Sequence, residues 1–383
     1  MSHCNYGRSL LPQWLLESDA TFLNHGSFGA TPRVVLEAQT HWRTRMESQP
    51  VRFMQRELPE ALKASIGRLA AFLGADTGNL AFVDNATAGV NTVLRSIEWR
   101  SGDEIVLCRQ AYEAVAQAAR YIADRYGVRL RHAQIPFPLE NDDAIVDAYQ
   151  KALSPQTRLV IVDHVSSPTA LIAPVQRIID LCRTAGCLVL IDGAHAPGML
   201  PLDLEALGAD WYTGNCHKWL FAAKGCAFLW TAPEHQAVTH PLIIARGYGG
   251  GYHAEFDWTG TRDSSAWLAI DAALDFHQQL GGSALCAQNY ALVSAAARQL
   301  AFDWNIQLPA PPHLFGAMVA VPLPPRWPED QVQAKRLHDR LWDEFRIEVP
   351  ILSHNDRLWV RISAQAYNEP GDYERLNKAV LAL

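Results

Sequence analysis

Between residues 80 and 230, short apolar runs alternate with longer amphipathic stretches, and that rhythm leaves few architectures open. The runs Leu80–Val83, Glu104–Cys108, Arg129–Ala133, Leu159–Asp163, Leu188–Ile191, Trp211–Thr213 and Ala227–Trp230 have strand length. Helical spacing fills several gaps, at Glu113–Tyr126, Asp142–Leu153 and Val175–Ala185. Such alternation predicts an α/β fold, a mostly parallel sheet with helices on both faces. At 383 residues the chain has room for a second, smaller domain. The expected division is 20–264 as the large domain, with 1–19 and 265–383 forming a small α+β one. A helix is expected from Pro32, capped by Thr31, and a long one over Ser265–Leu280. The proline-dense run 308–328 predicts edge strands and turns rather than helix. Leu358–Ile362 reads as strand and Asp372–Leu383 as helix.

Ligands of parallel sheets bind at the carboxyl ends of strands, so the polar residues after Asp163 and Asp192 draw notice. One apolar run ends in Asp192-Gly193-Ala194-His195, and farther on stands Asn215-Cys216-His217-Lys218-Trp219. A carboxylate at a strand end and a lysine on the following loop are what pyridoxal 5′-phosphate (PLP) requires. Its aldehyde takes an amine as a Schiff base, and its ring nitrogen takes a carboxylate. Taken singly, Asp192 could cap a turn and Lys218 could be a surface lysine. Together, with His195 and His217 at fixed offsets, they point to a cofactor site.

Weaker signals agree. Asn85-Ala86-Thr87-Ala88-Gly89 follows a strand and opens a helix, where backbone N–H groups and a hydroxyl suit a phosphate, although an ordinary helix cap reads the same way. Tyr112, just past the run ending at Cys108, could stack on a ring or fill the core. Arg361 lies in strand-forming Val360-Arg361-Ile362 and must face solvent or an anion such as a substrate carboxylate. Cys216, His217 and His195 lack the spacing of a metal site, and no metal is expected. Neither a Walker loop, a G-x-G-x-x-G nor a G-x-S-x-G elbow occurs.

With 49% hydrophobic and 19% charged residues, the composition is that of a globular protein. A formal net charge of −7 gives no reason to expect nucleic acid or an anionic membrane as partner. Seven cysteines without a C-x-x-C pair read as reduced thiols of a cytoplasmic protein. Met1-Ser2-His3-Cys4-Asn5 lacks the pattern of a secretory signal, and no apolar stretch approaches membrane-span length.

On these motifs the chain resembles the class V aminotransferase group of type I PLP enzymes, and within it the isopenicillin N epimerase-like branch. The resemblance is carried by Phe22-Leu23-Asn24-His25-Gly26-Ser27-Phe28-Gly29, Pro50-Val51-Arg52-Phe53, Asn85–Asn91 and Asp163-His164-Val165-Ser166-Ser167-Pro168-Thr169-Ala170. It continues through Asp192–Gly198, His217-Lys218-Trp219-Leu220 and Asp257-Trp258-Thr259-Gly260-Thr261-Arg262-Asp263, covering nearly the whole chain. It implies that Lys218 holds PLP, Asp192 pairs with the ring nitrogen, and His195, with Ser167, meets the ring hydroxyl. Tyr112 takes the stacking position. Ala86, Thr87 and His217 hold the phosphate, with Thr261 reaching in from the partner of a homodimer. Asn215 stands where relatives often carry a hydroxyl for the phosphate. Arg361 binds the substrate carboxylate, and loops around Asn24–Phe28 (with Asn24 and His25 as substrate contacts), Arg52 and Tyr248–Tyr252 set specificity.

The reaction implied is at the α-carbon of an amino acid. An epimerase-like activity leads; a C–S β-lyase, like hercynylcysteine sulfoxide lyases or cysteine desulfhydrases, is the alternative. No cysteine follows Cys286, which argues against a persulfide-forming desulfurase. Transamination shows no residue signature of its own. A PLP-binding regulator without turnover would not need the full set of contacts.

Overall fold

The computed structural model describes residues 6–383; Met1–Asn5, with Cys4 and the start of the expected 1–19 segment, lie outside the described residues. Seven strands form the central sheet: β1 (Leu80–Val83), β2 (Glu104–Cys108), β3 (Arg129–Ala133), β4 (Thr157–Asp163), β5 (Leu188–Asp192), β6 (Trp211–Asn215) and β7 (Ala227–Thr231). Their order is β1-β7-β6-β5-β4-β2-β3. The five strands from β6 to β3 run parallel, while β7 is antiparallel to both of its neighbours.

The inner strands are largely apolar because both faces are covered. Alternate residues go to opposite cores: Ile105, Leu107, Leu159, Ile161 and Leu190 pack on one side, and Val106, Val160, Val162, Val189 and Ile191 on the other. The helices follow the same logic at their own period. Val175–Ala185 buries Val175, Ile178, Ile179 and Cys182, one stripe of a helical surface. At the edge, β3 is mostly accessible and carries Arg129 and Arg131, charges that discourage pairing with a further strand.

A three-stranded antiparallel sheet follows, made of β8 (Met318–Pro322), β9 (Ile351–Ser353) and β10 (Leu358–Ser363), in the order β9-β10-β8. Thr21–Phe22, just inside the expected large domain, pairs in parallel with Ile347–Glu348 of the C-terminal part. No helix among the described residues is long and apolar enough to cross a membrane.

Several expectations need correction. The first long helix spans Arg33–Ser48 with Pro32 at its cap position. Thr31 does not cap it, because its hydroxyl donates to the Ala222 carbonyl and accepts from Lys224. Ser265–Leu280 is broken into Ser265–Leu268 and Ile270–Gln279, with Ala269 between them at ψ −1°. The first piece is tied to the central sheet by Trp267, which stacks on Phe82 and donates to the Gly225 carbonyl. The second packs its His277 against Phe72. Within the proline-dense run, Pro312–Leu314 does make one 3₁₀ turn before edge strand β8.

Candidate active site

Register sets the site. Asp163 at the end of β4 faces Asp192 at the end of β5, and Asp192 faces Thr213 of β6. Two carboxylates and the loop after β6 therefore meet at one edge of the sheet, beside a cavity of about 460 Å³, a size usual for small-molecule sites. Lys218, His195, His217, Tyr112, Ala86, Thr87, Asn215 and Ser167 all line it.

Lys218 Nζ lies 3.1 Å from His195 Nε2. Burial, and then the Arg361 charge, lower its pKa to about 7, with Asp192 opposing. That is a lysine able to act as an amine near neutrality. Burial raises the Asp192 carboxyl, against the pull of the Ala194 N–H and Lys218. His195 is held neutral by burial and by the charges of Lys218, Arg361 and His217. His217 is lowered to about 4 by burial, and its Nδ1 lies 3.1 Å from the Cys226 carbonyl.

The loop carrying Lys218 is gripped by the N-terminal segment. Gly29 has φ +70°, and a Cβ there would stand 2.1 Å from the His217 carbonyl, so only glycine fits. His25 is fully buried and bridges the Lys218 carbonyl (3.0 Å) and the Tyr367 hydroxyl (2.8 Å). On the opposite wall the helix Ala86–Ser96 approaches β6 closely: a Cβ at Gly89 would meet the Thr213 hydroxyl at 2.1 Å. Asn85 Oδ1 accepts from Ala88 N–H, and Asn215 Oδ1 from Ala86 N–H, each at 2.8 Å. Among the described residues, neither the Thr87 N–H nor its hydroxyl has a hydrogen-bond partner within the chain.

Residues 22–324 match the model of the aminotransferase class-V family. The chain is 36% identical to isopenicillin N epimerase of Amycolatopsis lactamdurans, over 96% of each. It is 33% identical to putative L-cysteine desulfhydrase 1 of Oryza sativa subsp. japonica, over 95% of this chain and 83% of that one. The chain belongs to the aminotransferase class-V family.

Its fold is shared with a cysteine desulfurase from Thermococcus onnurineus NA1, with a TM-score of 0.82 over 100% of both chains at 18% identity. As a class-V protein it is a PLP-dependent enzyme. The cavity suits that cofactor on its own evidence. Both Asp163 oxygens are buried without a hydrogen-bond partner. Burial, and then Asp192, raise this carboxyl well above its ordinary value, although the Tyr112 amide lies close enough to oppose them. A helix start with free donors, an amine of lowered pKa and a half-exposed tyrosine complete the wall.

Not every class-V expectation reaches the wall. Arg361 is only 5% exposed, which removes the solvated-strand reading, and burial lowers it to about 10. It stands behind the wall, donating to the Ser167 carbonyl (2.6 Å), the Ser167 hydroxyl (3.1 Å) and the Ser27 hydroxyl (2.9 Å). Ser167 is therefore engaged with Arg361. Asn24 orients Ser27 and is itself tied to Glu348, 2.8 Å away. His25 grips the loop backbone from outside the cavity, and neither it nor Asn24 lines that cavity. Arg52 is exposed and paired with Glu57 at 2.9 Å. Thr261 is exposed and does not line the cavity, although neighbouring Arg262 pairs with Asp84, which does. Asn215, like Ala86, has its polar group committed to the helix start. Ser27 in the Asn24–Phe28 loop and Asp163 at a strand end carry only local signals in the sequence; that Ser27 accepts from Arg361 and that Asp163 is left unpartnered depends on distant segments.

Proposed function

We propose that the chain acts at the α-carbon of an amino acid as an epimerase, with Lys218 as the residue that holds the cofactor and moves the α-proton. The observation that carries this is Lys218 Nζ beside His195 and Asp192 at the strand ends, with its pKa brought to about 7. Bound PLP withdraws electrons from the substrate and so acidifies the α-C–H. Asp192 would hold the ring-nitrogen proton, His195 would meet the ring hydroxyl, Tyr112 would cover the ring, and Thr87 with His217 would hold the phosphate. Asn215 and Ala86 serve the phosphate indirectly, by fixing the start of the helix. Arg361 takes the substrate carboxylate where Ser27 and Ser167 now engage it.

Similarity to the Amycolatopsis epimerase supports this reading. The second reading, C–S β-elimination, draws on the similarity to the rice desulfhydrase and needs only Lys218 and a leaving group. No cysteine lines the cavity, and the Cys286 thiol donates to the Gly198 carbonyl, which argues against a persulfide relay. We further infer a homodimer in which Thr261 serves the partner's site; exposed Phe28, Leu242, Ile243, Ile244 and Tyr248 offer apolar surface for it. The six described cysteines are free, which supports a reducing, cytoplasmic setting.

A panel of L-amino acids and cysteine conjugates in deuterium oxide tests the reading. Deuterium entering the α-carbon without release of sulfide or pyruvate supports epimerisation. Release of either product establishes elimination. A protein that exchanges and releases nothing would overturn both.

A further inference from the structure

We propose that Trp219 is a positioning residue that fixes the tautomer of His195 and, through it, holds the Lys218 side chain as a neutral amine. Three side chains stand in a row. Trp219 Nε1 donates to His195 Nδ1 at 3.4 Å, and His195 Nε2 lies 3.1 Å from Lys218 Nζ. An indole N–H can only donate, and a neutral imidazole carries one donor and one acceptor. With Nδ1 taken as the acceptor, the proton of His195 must sit on Nε2. That N–H points at Lys218, and an ammonium group has no lone pair to receive it. The row is consistent only when Lys218 is an amine.

The reverse arrangement is self-defeating. A lysine ammonium donating to Nε2 would place the imidazole proton on Nδ1, against the indole N–H. Two donors would then face each other in a buried site, leaving one unsatisfied at about 1–3 kcal/mol. An imidazolium is disfavoured by burial above all, and by the Arg361 guanidinium. Facing Lys218 itself are Asp192 and His195 from the end of β5, and Arg361 from β10; Asp192 favours the ammonium and Arg361 the amine. The indole cannot turn away. Trp219 is 1% exposed, its ring centroid lies 5.2 Å from that of His25, and a Cβ on Gly26 would stand 3.4 Å from it.

The consequence for function rests on the reading of Lys218 given above. Cofactor loading joins the lysine nitrogen to the aldehyde carbon, and the two amine protons leave with the carbonyl oxygen as water. Only the neutral amine can begin it. The row thus poises Lys218 for loading at a pH where a solvated lysine is an ammonium.

Long-range ¹H–¹⁵N correlation on the ¹⁵N-histidine-labelled full-length chain freed of cofactor, with His195 assigned from His195→Gln, tests the tautomer. We expect the proton on Nε2 in the wild type and a loss of that preference in Trp219→Phe. The pH midpoint of PLP loading, followed by absorbance, should rise in Trp219→Phe by up to about one unit, equivalent to one hydrogen bond. Below the midpoint this means loading up to about tenfold slower. A wild-type proton on Nδ1, an imidazolium at pH 7.5, or a Trp219→Phe chain with unchanged tautomer and midpoint would overturn the proposal. The wild-type measurement decides it even if Trp219→Phe does not fold. Covalent loading of Lys218→Ala would instead overturn the reading of Lys218 and leave the tautomer result standing.

Discussion

Buried carboxylates stand at both ends of the central sheet, and their surroundings differ. Glu104, at the amino end of β2, is 4% exposed and fully served: Arg129 lies at 2.9 Å, Arg131 at 3.6 Å, and the Ser154 hydroxyl donates to it. Asp163, at the carboxyl end of the neighbouring β4, is 8% exposed, and beyond the nearby Tyr112 amide neither oxygen has a hydrogen-bond partner. A chain that can supply partners to one buried acid can supply them to another. Leaving polar groups unserved at one end of the sheet, beside a cavity, marks the place where the missing partners belong to a ligand.

Acid should bring out the contrast most strongly. Burial holds His25 at about 3 and His164 at about 4, both at the cavity end. Their folded pKa values lie below the unfolded 6.5, so the unfolded chain takes up protons first. Stability is full above pH 6.5 and is lost as pH falls toward 4, by on the order of 3 kcal/mol per group. Urea unfolding at pH 7 and pH 4.5 measures this, and a flat response would erase the distinction between the two ends. Arg361→Ala comes next, at ~2–5 kcal/mol in kcat/KM, the range for removing one side of a desolvated charge pair. Arg361→Lys should not rescue it, because an ammonium cannot reproduce the fork held between Ser27 and Ser167. Unchanged KM and kcat would remove Arg361 from substrate binding.

The smallest effect is the sharpest comparison. Glu104→Gln should destabilise the fold by about 1.5–3 kcal/mol, the worth of hydrogen bonds to a buried charge. Asp163→Asn should do the reverse. Because the Asp163 carboxyl is raised, the folded chain keeps its proton while the unfolded chain loses it above about 3.8. The native acid therefore weakens the fold as pH rises from there, and the amide, which never ionises, gains stability relative to it. Thermal melts of both variants at pH 5 and pH 8 read the two signs. Equal losses would mean that the two acids are both structural.

How much of this was legible in the sequence follows from how far apart the partners lie. Strands β1 to β3 fall on the expected residues, because apolar runs bounded by polar loops are local signals. That Asp192 and Lys218 meet at one cavity was legible because cofactor chemistry names residue types and an order along the chain. Long-range placement was not. That His25 grips the Lys218 backbone, and that Asn215 serves the start of the helix at Ala86, depends on contacts between distant segments. Nor could Arg361 be located behind Ser27 and Ser167 from its own strand, since the wall in front of it comes from two other parts of the chain. Nothing local to Trp219 marks it either, because its N–H meets His195 only in the folded chain.

The central claim is that Lys218 holds the cofactor, and the loop that carries it contains a natural rival. Lys224 is also lowered by burial, but its Nζ donates to the Gly29 carbonyl (3.0 Å) and the Thr31 hydroxyl (3.1 Å). Borohydride reduction of the PLP-loaded enzyme, followed by peptide mass mapping, separates them. The account predicts the reduced cofactor on Lys218 alone. Finding it on Lys224, or on no lysine at all, would contradict it.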